Sequence, residues 1–265
     1  MRITACSGDA SLLFFLRVTE HESRITDLHT CLIIDLGLIR YAAAVAMQER
    51  VVTARKAGAI GDVLLLCEHP HVTTLGRNGN RENLLASENV LKQKGVELHE
   101  TNRGGDITYH GPGQLVGYPI LDLGAIRKDV RWYVRMLEEA MIRATAEFGI
   151  AAGREGGKIG VWVGEPGRSE KLAAIGVHLS RWVTSHGFAY NVSTDLRYFD
   201  LMVPCGIAGR NATSLEKLLG RAVNREEAAE KITRNLGEVF GREMKNTSPQ
   251  HFSEQLESSA LLEQA

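Results

Sequence analysis

The stretch Arg103-Gly-Gly-Asp-Ile-Thr-Tyr-His-Gly-Pro-Gly113 constrains this chain more than any other. Four glycines and a proline in eleven positions are incompatible with a helix there. Strand-like runs lie on either side, Val96 to His99 before it and Gln114 to Leu121 after it. The stretch is therefore a turn-rich connection whose backbone can come close to a ligand, with Arg103, Thr108 and His110 offering polar contacts. The same residues also suit a plain glycine-rich turn with a hydrogen-bonded histidine. A nucleotide-binding P-loop is ruled out, because no Gly-Lys-Ser/Thr follows.

Around this segment the pattern alternates between short strands and helices. Cys31 to Asp35 reads as a strand, and Leu38, Tyr41, Val45 and Val52 recur at helical spacing up to Gly58. Asp62 to Cys67 reads as a buried strand and Glu68-His-Pro-His71 as a loop. Ser87 caps a short helix that ends at Gly95. Val130, Val134, Leu137, Met141, Ala144 and Phe148 form one apolar stripe, stopped by Gly149. From Lys158 to Val192 the pattern is β, and Asn224 with Glu227 resembles a capping box opening a last helix. Residues 1–28 carry no clear period and read as an extension. Residues 29–244 form one mixed α/β domain, and the polar segment 245–265 reads as a fraying tail.

At 265 residues the chain can bury a real core without a disulfide or metal staple. Its 31 Lys+Arg balance 32 Asp+Glu, which gives no reason to expect a nucleic-acid or membrane partner. Leu12 to Leu16, the longest apolar run near the start, is too short for a signal-peptide core or a membrane span, so a cytoplasmic protein is expected. The four cysteines show no CxxC pair and no metal-finger spacing. His69 and His71 are close in sequence but lack a third metal-type ligand nearby, so no metal is expected.

Two further residues attract chemistry. In the strand 171–179, Lys171 begins a face otherwise made of Ala173, Ile175, Val177 and Leu179. Burial would lower the basicity of its ammonium and make it a usable base, although a strand-end lysine can also reach out to water. Cys205, in Val203-Pro-Cys-Gly-Ile207, sits on a tight turn. Pro204 restrains the turn, and Gly206 lets a carbonyl approach backbone N–H groups. A thiolate there would be a nucleophile if a neighbour lowered its pKa, with Lys171 or His110 as the available bases. An inert turn cysteine is the alternative. His186-Gly-Phe-Ala-Tyr-Asn191 is a strand in which Gly187 permits close approach of a ligand.

The segment Arg103 to Pro119 resembles the RGGxxTYHGPGQ motif of the bacterial octanoyltransferases. Lys171-Leu-Ala-Ala-Ile-Gly176, His186-Gly-Phe-Ala-Tyr-Asn-Val192 and Pro204-Cys-Gly-Ile207 follow in that family's order. The resemblance spans about residues 31 to 243. Tyr190 stands where the family commonly has leucine, and residues 1–28 have no counterpart.

The resemblance implies the α/β fold of biotin and lipoate protein ligases, a central mixed sheet flanked by helices. It implies transfer of an octanoyl group from octanoyl-acyl carrier protein to a lysine of lipoyl domains, in 2-oxo acid dehydrogenases or the glycine cleavage H protein, with no cofactor. Cys205 would be the thioester nucleophile and Lys171 its partner. Arg103, Gly104, Gly105, Asp106, Ile107, Thr108, Tyr109 and His110 would bind substrate, together with Ala174, Ile175, Gly176, Gly187, Phe188 and Ala189. Arg127, Lys128, Arg131 and Arg135 cluster at the start of the long helix and suit an acidic carrier, or simply a solvated basic face. An ATP-dependent ligase, a non-catalytic binding module and a thioester hydrolase are the rival readings. A ligase would have no need of a nucleophilic cysteine at Cys205, and a module would have no reason to keep both Cys205 and Lys171.

Overall fold

The computed structural model describes residues 29–203 and 212–262. Residues 1–28, the segment 204–211 with Cys205, and residues 263–265 lie outside them. Eleven strands are present among the described residues: β1 (Thr30–Leu38), β2 (Asp62–Glu68), β3 (Val72–Leu75), β4 (Glu97–Glu100), β5 (Ile107–His110), β6 (Gln114–Ile120), β7 (Ala152–Glu155), β8 (Lys158–Val163), β9 (Glu170–Ser180), β10 (Val183–Asn191) and β11 (Glu243–Asn246). The helices are α1 (Tyr41–Lys56), α2 (Glu88–Gln93), α3 (Leu123–Ile126), α4 (Val130–Ala146), α5 (Leu215–Leu219), α6 (Arg225–Phe240) and α7 (Pro249–Leu262).

Eight strands form one sheet in the order β11-β1-β2-β6-β10-β9-β8-β7. β1 runs parallel to both β11 and β2, and the remaining neighbours are antiparallel, so the sheet is mixed as expected. Strand β2 carries an unbroken apolar run, Val63–Cys67, because helices cover both faces of the sheet. Six of the seven residues of β2 and all of β6 are buried. On one face α4 and α6 pack over Leu64, Leu115, Leu172, Phe188 and Tyr190. The stripe read from the sequence supplies Leu137, Met141 and Ala144 to that core, and the Asp129 side chain caps α4 by accepting from the Trp132 N–H at 2.9 Å. On the other face α1 and α7 cover Leu65, Val116, Tyr118 and Ala189.

Two expectations are corrected. The glycine-rich stretch contains a strand, β5, which pairs with β3 in a separate three-stranded sheet β4-β3-β5. The segment after Lys245 does not fray: residues 243–246 pair with β1, and α7 buries Phe252 and Leu256 in the core. These two apolar side chains, one turn apart, anchor the helix to the sheet. No helix among the described residues is long and apolar enough to cross a membrane.

Candidate active site

The site begins where a ladder stops. β8 pairs with β9 through Val163–Glu170, Trp162–Lys171 and Val161–Ala173, and no further. Gly160 beyond that pair takes φ +128°, and Gly157, Lys158 and Ile159 on one side part from Ala174 to Val177 on the other. A cavity of about 630 Å³ occupies the split and continues inward past β10. Its size is in the range used for small-molecule ligands.

The loop before β5 closes the side that β8 vacates. The Gly104 N–H donates to the Val177 carbonyl at 2.9 Å, docking the loop on the free edge of β9. Arg103 is buried and holds this loop to β3. Its Nη2 donates to the Thr74 carbonyl at 2.6 Å, and its Nη1 donates to the Gly104 carbonyl at 3.0 Å. A Cβ on Gly176 would sit 2.8 Å from the Gly104 carbonyl oxygen, so the loop needs glycine opposite it. Asp106 accepts from the Asn80 N–H at 3.0 Å and the Asn83 Nδ2 at 2.5 Å. Asn83 in turn accepts the Val203 N–H at 2.7 Å, which fixes the chain just before Pro204.

On the far side of residues 204–211, Thr213 N–H donates to the Lys171 carbonyl at 2.9 Å, and Ala212 bridges Lys171. Both ends of the segment that carries Cys205 are thus tied to residues around the cavity. Lys171 lines the cavity with its Nζ 4.6 Å from the centre of the Trp162 ring. The face assigned to it from sequence is interrupted. Trp162 and Val161 are consecutive but oppose Lys171 and Ala173, so Leu172 is an extra, bulged residue. Leu172 and Ala173 both enter the core with α4 and α6, while Lys171 and Ala174 line the cavity. The bulge removes Lys171 from the apolar face.

A chain of oriented hydrogen bonds runs along the inner wall. His110 Nδ1–H donates to Gln114 Oε1 at 2.7 Å. Gln114 Nε2 donates to Asn191 Oδ1 at 2.9 Å, and Asn191 Nδ2 donates to the Thr213 carbonyl at 2.9 Å. Burial, and then the nearby His69, hold the His110 imidazole down at about 3. His186 is likewise held at about 4 by burial and by the Arg103 charge. Its Nε2–H donates to Asn102 Oδ1 at 2.6 Å, and its own N–H donates to Gln48 Oε1 at 2.8 Å. Both rings are neutral at pH 7. His69 has both nitrogens occupied, Nδ1 donating to the Ile39 carbonyl and Nε2 accepting from Tyr118, each at 2.7 Å. Cys31 and Cys67 are buried thiols pushed well above the usual thiol range by burial.

Of the residues named from sequence, Arg103 to Thr108, His110, Lys171, Ala174 to Gly176 and Gly187 to Ala189 all line the cavity. Tyr109 does not. Its ring is fully buried behind the wall, stacked on Tyr198 at 5.0 Å, and its hydroxyl donates to His71 Nδ1 at 2.6 Å. Sequence reasoning passed over Gln114 and Asn191, although both stand in the motifs quoted above. It also passed over His186, which takes φ +55° within β10, and Val130 and Val134, which belong to the α4 stripe but line the cavity.

Residues 40–237 match the family model of the lipoyl protein ligase A/B catalytic domain. The chain is 54% identical over 217 residues to an octanoyltransferase of Solibacter usitatus, covering 82% of this chain and 96% of that protein. It is 52% identical over 223 residues to one of Acidobacterium capsulatum, covering 80% and 91%. Among solved structures, lipoate-protein ligase A bound with ATP superposes with a TM-score of 0.68 at 16% identity, covering 88% of this chain and 92% of that one. A bipartite lipoate protein ligase from Thermoplasma acidophilum gives 0.68 at 16%, covering 88% and 91%. The structural likeness fixes the fold, and the sequence likeness fixes the family: the chain belongs to the octanoyltransferases, acyltransferases built on the lipoyl protein ligase catalytic domain.

Proposed function

We propose that this chain takes an octanoyl group from the thioester of an acyl carrier protein and delivers it, through a thioester on Cys205, to a lysine of a lipoyl domain. The carrying observation is the join of Lys171 to the chain that bears Cys205: the lysine lines the cavity, and its own carbonyl receives Thr213. In the first step Cys205 Sγ attacks the donor carbonyl. The carrier thiol leaves with the proton that Lys171 removed from Cys205. One thioester replaces another, so the step is nearly balanced in energy. In the second step the acceptor amine attacks the octanoyl-enzyme, Lys171 takes its proton, and Cys205 leaves as thiolate. The amide is more stable than the thioester, which drives transfer without ATP.

Lys171 suits the proton-transfer role better than His110. An imidazole held at about 3 is a feeble base at neutral pH, and its Nδ1 proton is already committed to Gln114. The acyl chain would lie among Ala174, Ile175, Val177 and Phe188, gaining about 0.8 kcal/mol per buried methylene. Exclusion of water from this wall protects the acyl-enzyme from hydrolysis.

Intact-protein mass spectrometry after mixing with octanoyl-acyl carrier protein tests the reading. One octanoyl adduct is expected on the wild type and none on Cys205→Ala. An unmodified lipoyl domain should discharge the adduct. An unmodified wild type beside a fully loaded carrier rejects the covalent route, and ATP-dependent use of free octanoate would point to a ligase instead.

A further inference from the structure

The cationic side chains at the start of α4 are not equivalent. Arg127 pairs with Asp129 at 3.3 Å and lies over the Trp132 ring. Further along, Arg143 pairs with Glu139 at 2.9 Å. Lys158 across the cavity pairs with Glu155 at 3.6 Å, and Arg154 holds Glu138 and Glu139. Lys128, Arg131 and Arg135 differ: all three are exposed and have no carboxylate partner among the described residues. Arg131 and Arg135 are one turn apart on one side of the helix, and Lys128 stands just before its first turn.

This unneutralised row borders an apolar lip. Val130, next to Arg131, is 42% exposed, and Ile159 across the split is 55% exposed. Both line the cavity, as does Val134, next to Arg135. Exposed apolar side chains at the rim of a pocket, bordered by charge of one sign, mark a place where a partner docks.

We infer that Lys128, Arg131 and Arg135, with Val130 and Ile159, form the docking surface for an acidic protein that delivers the acyl thioester. This rests on the transferase reading above. The donor is favoured over the acceptor because only the donor brings an apolar chain past Val130 and Ile159; the acceptor brings an amine. The row attracts the acidic donor face, and the lip shields the first methylenes as they enter.

The test compares three substrates on Arg131→Glu/Arg135→Glu. At low salt the KM for octanoyl-acyl carrier protein should rise at least tenfold, with kcat little changed and the difference shrinking as salt is added. The KM for octanoyl-pantetheine, a thioester without a protein, should stay within twofold, as should that for the lipoyl domain. Arg131→Gln/Arg135→Gln should give a smaller rise in the same substrate alone. An unchanged carrier KM overturns the proposal. A rise confined to the lipoyl domain also overturns it and assigns the surface to the acceptor. Equal losses with both thioesters mean a damaged cavity and overturn it too. A wild-type chain that transfers from neither thioester removes the transferase reading itself, an outcome distinct from the others.

Discussion

From Glu170 to Ala173, strand β9 pairs with β8, and its bulge sends both Leu172 and Ala173 into the core at 0% exposure. From Ala174 to Val177 it pairs only with β10, and on the other side a single hydrogen bond from the Gly104 loop takes the place of a strand. The first part is filled by α4 and α6; the second opens into the cavity. The site is therefore made by ending a ladder early rather than by adding a separate element. Lys171 stands at the junction, where core packing on one side restrains a side chain that lines the cavity on the other.

The largest expected effect comes from breaking the junction. Lys171→Met keeps much of the side-chain volume and removes the ammonium. Octanoyl transfer should fall about 10²–10⁴-fold, the usual contribution of a positioned acid–base group, while the thermal midpoint moves little. A steady-state rate within threefold of wild type would remove Lys171 from the chemistry.

Smaller effects sharpen the contrast between the two parts of β9. Leu172→Ala in the filled part should cost about 2–5 kcal/mol in denaturant unfolding, because it leaves a hole in a packed core. Gly176→Ala in the open part should cost about 1–3 kcal/mol, because its Cβ meets the Gly104 carbonyl and displaces the loop. Octanoyl binding should suffer more in Gly176→Ala than in Leu172→Ala. Equal effects on stability and binding in both variants would mean that the two parts are one unit.

The smallest effect is set by pH. His110 and His186 belong to the cavity wall and are neutral in the fold, at about 3 and about 4, whereas an unfolded histidine titrates near 6.5. Acid therefore protonates the unfolded chain first, and stability falls as pH drops from 7 toward 4. Each ring should contribute about 1 kcal/mol of that loss between pH 7 and 5.5. His186→Asn, which tolerates the left-handed backbone, should flatten the slope measured by guanidinium unfolding. An unaltered slope would mean that the ring is solvated and titrates normally.

Much of the frame was legible because its signals are local. The five-residue apolar run Val63–Cys67 in β2 and the stripe of α4 are each visible in a short stretch of sequence, and Asp129 caps its helix where the stripe begins. The motif residues at 103–110, 174–176 and 187–189 were legible as a family pattern, and all but Tyr109 line one cavity. Tyr109 packs behind the wall with Tyr198 and His71, partners distant in sequence, and the strand that carries it is hidden among glycines. The final helix was missed because only Phe252 and Leu256 mark its buried face before the apolar end at 260–262, too short a pattern to show a period.

Residue order alone settled the strands and helices of the central frame, such as β2 and α4, which motifs belong together, and which family they define, since propensity, periodicity and motif identity reside in short stretches of chain. Tertiary structure alone decided the rest: the bulge at Leu172, the parting of β8 from β9, the left-handed turn at His186, and the relay from His110 to Thr213. Each of these depends on which distant strand or loop lies alongside. A neighbour more than fifty residues away, such as the Gly104 loop beside Val177, leaves no period in the sequence to read.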